Sequence, residues 1–441
     1  MPLDRAHSIQ TALTQAPKKT EIIMTDYAAL IGLDWGDQAH ACAFQIQGLT
    51  AVEKFNLTHS AESLQDWIAS LRQRFGGRPI AIALEAKHGP LIHSLLHVEF
   101  ITLYPINPKT SALYRQAFNP SGAKDDLPDA ELLLNLLVVH RDKLMPWHPE
   151  DVLTRKLDGL VQARRAAVDL RTQLANSLTT LLKAYYPQAL ELVGEDAFSP
   201  LAGAFLLKWP DLISLKAARP TTVRAFYHAH NVRRGDVIEK RLERIAQARA
   251  LTTDDAVVSV SVLTCRLLAE QLARLAHSLK RYEHEIKQVF DEHPEAHLFR
   301  HLPGAGPALA PRLLAAFGTQ RDRYPQADNF LKYSGIAPVT EKSGQRKWVH
   351  WRWSAPRFLR QSLVEWANQS IYHSTWASAF YTRQKAKGKQ HHAILRSLAF
   401  KWIRILWKCW QDRTPYDEAR YLKRLALKNP SLLNLAYEKS N

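Results

Sequence analysis

The sequence predicts a mixed α/β domain followed by a largely helical chain, and three observations support this prediction. Short apolar runs alternate with amphipathic helical patterns over residues 28–140. Two long stretches, at about residues 151–186 and 254–290, then repeat apolar residues every three or four positions. Residues 341–441 contain 20 Lys and Arg against 6 Asp and Glu, a net charge of +14, and this segment is rich in tryptophan. At 441 residues, the chain is long enough for two or three domains.

The first part of the chain has the element order of a sheet domain. Strands are predicted at residues 28–35, 39–46, 50–57, 79–84 and 100–106, and helices at 61–75, 90–98 and 108–118. Three strands that precede β-α-β units are typical of the RNase H-like fold, in which helices flank a mixed sheet.

The sequence divides into four parts. Residues 1–26 are polar without periodicity and are expected to form a disordered N-terminal extension. Residues 27–145 form the predicted α/β domain, and residues 146–292 form a helical linker in which a small insert separates two long helices. Helices of this length and pattern predict a coiled coil, either antiparallel or between chains. Residues 293–441 form a mostly helical C-terminal domain with a basic tail.

Composition indicates a nucleic-acid partner. The chain carries a net charge of +17, and basic side chains neutralise the phosphates of nucleic acids. Indoles can stack on bases, although we expect most of the tryptophans to be core residues. The cysteines Cys42, Cys265 and Cys409 are too far apart for a disulfide framework or a CxxC zinc site. No apolar run reaches the ~18–20 residues of a membrane span, and the N-terminus lacks a secretion signal. We therefore expect a cytoplasmic, nucleoid-associated protein without a membrane segment.

Four acids stand where an RNase H-like sheet would bring them together. Asp34 ends the first strand and Glu85 follows a later strand, and these two strands are neighbours in such a sheet. Asp126 and Asp129 flank Pro128 at the start of a helix, where residues three apart can point the same way. Four carboxylates this close would repel one another unless a divalent cation neutralised them, and oxygen ligands suit Mg²⁺ or Mn²⁺. Taken singly, each acid is more often a solvated loop residue or a helix cap.

Three segments around these acids resemble a known family. They read LDWG at 33–36, LEAKHG at 84–89 and KDDLPDA at 124–130, and in this order they are similar to the DEDD transposases of the IS110 family, relatives of the pilin-gene invertase Piv. The resemblance implies a RuvC-like catalytic domain whose catalytic, metal-binding acids are Asp34, Glu85, Asp126 and Asp129. The sequence beside the second acid departs from the family pattern, and Asp125 and Asp37 stay as alternatives to the third and first acids.

The C-terminal part contains a second set of motifs in the family order. The sequence LPGAGPALA resembles a helix-hairpin-helix turn, in which Gly304 and Gly306 would let backbone amides approach a phosphate; a plain tight turn is the alternative. A Tyr-Ser-Gly-x-x-Pro segment, a Ser-Gly, a Leu-Arg-x-x-Leu helix and a basic run follow, as in the C-terminal transposase domain of that family. The resemblance covers about residues 27–412 and implies that Ser343 is the nucleophile, with Ser334 as the fallback.

Together these patterns predict an insertion-sequence transposase that cleaves and rejoins DNA. The residues predicted to contact nucleic acid are Gly304, Gly306, Lys342, Arg346, Lys347, Arg357, Arg360, Arg383, Lys385, Lys387 and Lys389. The resemblance further implies a phosphoserine link to DNA, a donor and a target DNA, guidance by a structured RNA, and a homodimer or homotetramer. Two alternatives remain open: a metal nuclease like the Holliday-junction resolvases, which needs no serine, and a non-catalytic nucleic-acid-binding relic of a transposon.

Overall fold

The computed structural model describes residues 26–85, 89–118, 126–194, 199–428 and 430–432. The chain divides into two compact units, Met1–Pro149 and Glu150–Asn441. The predicted linker, apart from its residues 146–149, and the predicted C-terminal domain fall within the second unit. Apart from its last position, the N-terminal extension predicted to be disordered lies outside the described residues.

The first unit contains a five-stranded mixed sheet. Its strands are β1 (Ala29–Asp34), β2 (Ala39–Ile46), β3 (Val52–Thr58), β4 (Ile80–Leu84) and β5 (Ile101–Pro105), and its helices are α1 (Ala61–Phe75), α2 (Pro90–Leu95), α3 (Pro108–Phe118) and α4 (Asp126–His140). The strand order is β3-β2-β1-β4-β5, in which β1, β2 and β3 pair antiparallel and β1, β4 and β5 pair parallel. The predicted α/β class with a mixed sheet is confirmed, and the RNase H-like assignment stays a prediction.

Burial on both faces explains why the central strands read as continuous apolar runs. Ile31 packs with α1 and α2 on one face of the sheet, whereas Leu30 packs with α4 on the other. Gly32 is needed where α4 crosses β1, because a Cβ there would lie 2.0 Å from the carbonyl oxygen of Ala130 and 2.3 Å from the backbone nitrogen of Leu134. This close approach fixes the first turns of α4 against β1.

Two long helices run antiparallel in the second unit. They are α5 (Val152–Tyr185) and α11 (Asp255–Glu292). The start of α5 shares a core cluster with the end of α11, as Leu157 does with Val289. The end of α5 shares a second cluster with the first half of α11, as Leu182 does with Cys265. The two predicted long helices therefore pair with each other within the chain.

A helical insert closes one end of this pair. It consists of α6 (Gln188–Leu192), α7 (Pro200–Lys208), α8 (Leu212–Ala217), α9 (Pro220–Ala229) and α10 (Gly235–Gln247). The aromatic side chains Phe205, Phe226 and Tyr227 of the insert are buried in the same cluster as the end of α5. The insert thus has a core of its own that is continuous with the long helices.

Helix α11 has the length and composition of a membrane span, and among the described residues it is the one helix that does. Its most apolar window has a mean hydropathy of 1.5 over 18 residues, and 22% of that window is buried. A core helix of a soluble protein can meet the same criteria, so one such helix is weak support for a membrane segment.

The rest of the second unit is helical apart from one β-hairpin. Its elements are α12 (Ala296–Arg300), α13 (Gly306–Phe317), α14 (Ala327–Tyr333), β6 (Val339–Ser343), β7 (Arg346–His350), α15 (Arg357–Ser370), α16 (Thr375–Ala386), α17 (His391–Gln411) and α18 (Glu418–Lys428). Trp366, Trp376, Trp402 and Trp410 are fully buried in the core of this region. The indole of Trp402 donates to the Ser370 hydroxyl at 2.7 Å, so burial leaves its N–H satisfied.

Candidate functional site

Two of the predicted metal ligands stand at the same edge of the sheet. Asp34 is the last residue of β1, and Glu85 comes directly after β4. These strands are parallel neighbours in which Leu33 lies opposite Leu84, so the two acids occupy adjacent positions one residue further along. Parallel pairing thus brings together two carboxylates that are far apart in the sequence.

One face of helix α3 contacts two of the four acids. The hydroxyl of Ser111 donates a hydrogen bond to the Glu85 carboxylate, and Ser111 is fully buried. The guanidinium of Arg115 lies 2.6 Å from the carboxylate of Asp129. Residues four apart share a helix face, so α3 carries both contacts on one side. Arg115 therefore already compensates the charge of one predicted metal ligand.

The four acids do not form a common metal site in the part of the chain that the structure describes. Asp129 is buried, with 6% of its surface exposed, whereas Asp126, the first residue of α4, is exposed. No group of three or more His, Cys, Asp or Glu among the described residues is arranged to hold a metal ion. The alternative acid Asp125 and the departing segment 86–88 lie outside the described residues. Asp34 and Glu85 are the two acids that strand pairing brings to adjacent positions, and the four-acid magnesium site stays a prediction.

A buried histidine that sequence reasoning missed supports the turn after Asp34. The backbone N–H of Gly36 donates to Nδ1 of His40 at 3.3 Å, and Nε2 of His40 lies 3.0 Å from Nδ1 of His59. Burial lowers the pKa of His40, and the neighbouring His59 lowers it further. A neutral ring is required because Nδ1 must accept from Gly36. The available signal was a histidine inside the otherwise apolar run of β2.

The β-hairpin presents Ser343 to solvent. Strands β6 and β7 pair antiparallel with Ser343 opposite Arg346, and a two-residue loop joins them. Gly344 begins this loop with a φ of 56°, as a tight hairpin turn requires. The fallback candidate, Ser334, is fully buried and donates to the carbonyl oxygen of Leu331. Exposure therefore favours Ser343 over Ser334 as a group that could meet a large substrate.

Like charges oppose each other across this hairpin. Lys342 and Lys347 form a directly paired position of the two strands, and both are exposed. Two cations in such a pair repel, so an anion between or beside them would stabilise the hairpin. Arg346, at the next position on β7, adds a third exposed cation next to Ser343.

The other predicted nucleic-acid contacts differ in their surroundings. Four lysines and arginines outside the hairpin are exposed and form no ion pair within the described part of the chain: Arg357, Lys385, Lys387 and Lys389. Arg383 is half-buried. Arg360 lies over the ring of Trp351 and donates to the carbonyl oxygen of Arg352 at 3.2 Å, so its guanidinium holds the segment after the hairpin. All of these stay predictions as phosphate contacts.

The glycine turn before α13 packs against protein at one glycine and is open at the other. A Cβ on Gly304 would lie 2.6 Å from the backbone carbonyl carbon of Gln369, at the end of α15. The indole of Trp366 also donates to the carbonyl oxygen of Pro303 at 3.0 Å. Gly306 is exposed and has open space in the direction of a Cβ. Close helix packing explains Gly304, whereas Gly306 is free to face a ligand.

Comparisons with known proteins identify relatives of this chain. Residues 31–187 match the DEDD family model of IS110, described as a transposase, and residues 296–382 match the model of the IS116/IS110/IS902 transposase family. The protein assigned as the transposase of the mini-circle IS117 from Streptomyces coelicolor is 27% identical over 402 residues, covering 88% of this chain and 95% of the relative. The uncharacterised 44.8 kDa protein of insertion element IS116 from Streptomyces clavuligerus is 24% identical over 391 residues, covering 88% and 96%.

These matches place the chain among insertion-sequence transposases. The first model covers the sheet with its four acids, and the second covers the glycine turn, the hairpin and α15. The chain belongs to the IS110 family of transposases, and the resemblance found in the sequence motifs is thereby confirmed.

Proposed function

We propose that this protein is a DNA recombinase of an insertion sequence that cleaves and rejoins strands through Ser343. The observation that carries the proposal is the position of Ser343, which is exposed at the tip of a hairpin with the exposed cation Arg346 directly paired with it. Membership of a transposase family supports DNA as the substrate. Arg346, on the same face of the hairpin as Ser343, can stabilise the charge that develops on a phosphate under attack.

The chemistry needs no further reactant. The Oγ of Ser343 forms a bond to the phosphorus while the bond from phosphorus to one strand oxygen breaks, and that oxygen takes up a proton as the serine loses one. A strand hydroxyl of a second DNA then attacks the phosphoserine, forms the new phosphodiester bond and releases the serine, which regains a proton. The number of phosphodiester bonds is unchanged at the end.

The acids of the first unit would hold Mg²⁺ (or Mn²⁺). Asp34 and Glu85 offer oxygen ligands at one sheet edge, and Asp126 and Asp129 are the proposed remaining ligands. A bound divalent cation would polarise the phosphodiester and stabilise its attacking and leaving oxygens. Ser111 orients the Glu85 carboxylate, and Arg115 neutralises the charge of Asp129 while no metal is bound.

We further propose a guide RNA and self-association. The exposed cations of the C-terminal region suit RNA as well as DNA, because both present phosphates. Handling a donor and a target duplex requires at least two active sites, which favours a homodimer or homotetramer. A partly exposed apolar stripe on α11 offers a surface for such self-association.

Replacing Ser343 tests the proposal. The substrate is a labelled DNA fragment that carries the gene with its flanking sequence, incubated with Mg²⁺ and with or without RNA transcribed from the flanks. We expect wild type to leave a protein–DNA adduct that survives denaturing electrophoresis, and Ser343→Ala to leave none. Ser397→Ala is the matched control, because Ser397 is an exposed helical serine outside the hairpin.

A second function is favoured by the Arg115–Asp129 ion pair, which leaves one predicted ligand already neutralised. Such pairing suits a non-catalytic nucleic-acid-binding relative. This alternative predicts that wild type binds the fragment without cutting it or forming an adduct. Strand cleavage that persists in Ser343→Ala would instead indicate a nuclease that acts without the serine.

A further inference from the structure

The β-hairpin carries exposed aromatic rings that the core does not use. Trp348 is 60% exposed and Trp353 is 71% exposed, in contrast to the fully buried tryptophans of the helical core. The ring of His350 lies between them in the chain, with its centroid 4.4 Å from that of Trp348 and 6.4 Å from that of Trp353. The interplanar angles are 31° and 20°. We call these three residues the aromatic row.

Contacts with neighbouring residues hold the aromatic row in place. Nε2 of His350 contacts the Glu341 carboxylate at 2.9 Å, and its Nδ1 contacts the carbonyl oxygen of Trp351 at 2.7 Å. Trp351 in turn contacts two guanidinium groups, that of Arg360 from α15 at 4.9 Å and that of Arg396 from α17 at 4.2 Å. Rings that are already ordered lose little entropy on binding a ligand.

The row shares a face with the proposed nucleophile. Side chains alternate along a strand, and directly paired residues point to the same face. Ser343 pairs with Arg346, and Glu341 pairs with Trp348, so Ser343 and Trp348 lie on one face of the hairpin. Lys342 and its partner lie on the other face. Two strand residues span roughly 6.6 Å, which is therefore the approximate step along β7 from the level of Ser343 to Trp348.

Charge and shape together define the ligand. Residues 339–353 contain four Lys and Arg and one Glu, so a purely apolar or cationic partner would be mismatched. The bases of a duplex are stacked inside it, whereas an unpaired base can lay its face on an indole. The combination of anionic backbone and exposed flat rings is that of single-stranded nucleic acid.

We propose that the aromatic row stacks on unpaired bases of the DNA strand that Ser343 attacks. This inference rests on the proposed function, since the serine on the same face identifies the strand. Trp348 and Trp353 provide the stacking surfaces, and Arg346, on the face of Ser343 and Trp348, attracts the phosphate backbone. The row thereby keeps the strand open beside the phosphate that is cut.

The test compares single-stranded with double-stranded DNA. The probes are a labelled oligothymidylate of about 12 nucleotides, its duplex with oligoadenylate, and oligouridylate of equal length. We expect Trp348→Ala and Trp353→Ala each to weaken binding of the oligothymidylate by about 5- to 150-fold, with duplex affinity retained. Trp348→Phe keeps a ring and loses less. Tyr372→Ala, at an exposed aromatic residue outside the hairpin, is the control and leaves binding unchanged.

Three results would overturn the proposal. The alanine variants could bind oligothymidylate like wild type, or they could weaken single-stranded and duplex binding equally, or they could affect oligouridylate alone. Thermal melting confirms that the variants fold, as the exposure of both indoles predicts. Ser343→Ala should keep its affinity for oligothymidylate while it loses the protein–DNA adduct. The proposal on the serine and the proposal on stacking can therefore fail separately.

Discussion

Arg115 neutralises the charge of Asp129, as a metal ion would if it were bound there. The carboxylate of Asp129 is nearly buried, and a buried charge is costly without an opposite charge or donor beside it. The contact of 2.6 Å supplies that charge from α3. At the scale of the residue, the acid is therefore stable without a metal, and a metal at this acid would have to displace the arginine or share the carboxylate with it.

We expect Arg115→Met to destabilise the protein in EDTA by roughly 3 kcal/mol, because it leaves Asp129 buried without its partner; the partial exposure of Arg115 places the effect at the low end for a buried ion pair. Excess MgCl₂ should raise the melting temperature of the variant more than that of wild type, since the cation no longer competes with the guanidinium. The measurement is thermal unfolding with and without MgCl₂. Lys54→Met is the control, because Lys54 forms an exposed pair with Glu131 that contributes little. Equal effects of MgCl₂ on Arg115→Met and wild type would remove Asp129 from the proposed ligands.

At the scale of the element, the turn from β1 to β2 depends on a neutral His40. Its ring accepts from the N–H of Gly36, and this turn follows directly on Asp34. The lowered pKa means that folded His40 resists protonation, whereas the same residue in the unfolded chain takes up a proton near pH 6.5. The unfolded state thus binds more protons below that pH, and stability falls as the pH decreases.

We therefore expect the free energy of unfolding to decrease as the pH falls from about 6.5 toward the lower pKa of folded His40. His40→Gln should flatten this slope, because glutamine can accept from Gly36 without titrating. Unfolding by urea at a series of pH values measures this dependence of the free energy of unfolding on pH. His93→Gln, at an exposed histidine of α2, provides the comparison and should keep the wild-type slope. If the free energy of unfolding depends on pH in the same way in wild type and His40→Gln, then His40 is not the source of the pH dependence.

The elements themselves could largely be predicted from the sequence. Strands β1 and β4 read as buried apolar runs, and the long helices α5 and α11 follow from their apolar spacing. The motifs also point to Ser343 as the nucleophile, which stays a prediction; the structure shows that this serine is exposed. Side chains that act across elements could not be predicted: Arg115 reaches Asp129 from another helix, and His40 reads as a core residue. Such contacts depend on how helices pack, which local periodicity does not encode.

At the scale of the whole molecule, the first half of α11 leaves apolar side chains uncovered. Val257, Val260, Leu263 and Leu267 are exposed, and their spacing of three or four residues aligns them along one side of the helix. Single exposed apolar residues are common, whereas a row of four on one helix is typical of an interaction surface. A second copy of the chain can cover this row with the same row of its own, as two-fold symmetry allows.

The row on α11 predicts that Leu263→Glu separates the proposed oligomer. Leu263 is 70% exposed within one chain, so the charge costs little in the monomer but is buried twice in a symmetric pair. Burying one leucine contributes roughly 1.5–3 kcal/mol, and a symmetric pair buries two copies of Leu263. The loss of about 3 kcal/mol or more should raise the dissociation constant at least about a hundredfold. Light scattering after size-exclusion chromatography measures the mass, with Ile213→Glu, another exposed apolar position, as the control. If wild type is already a monomer, or if Leu263→Glu keeps the wild-type mass, then α11 does not join the subunits and the exposed row must serve another partner.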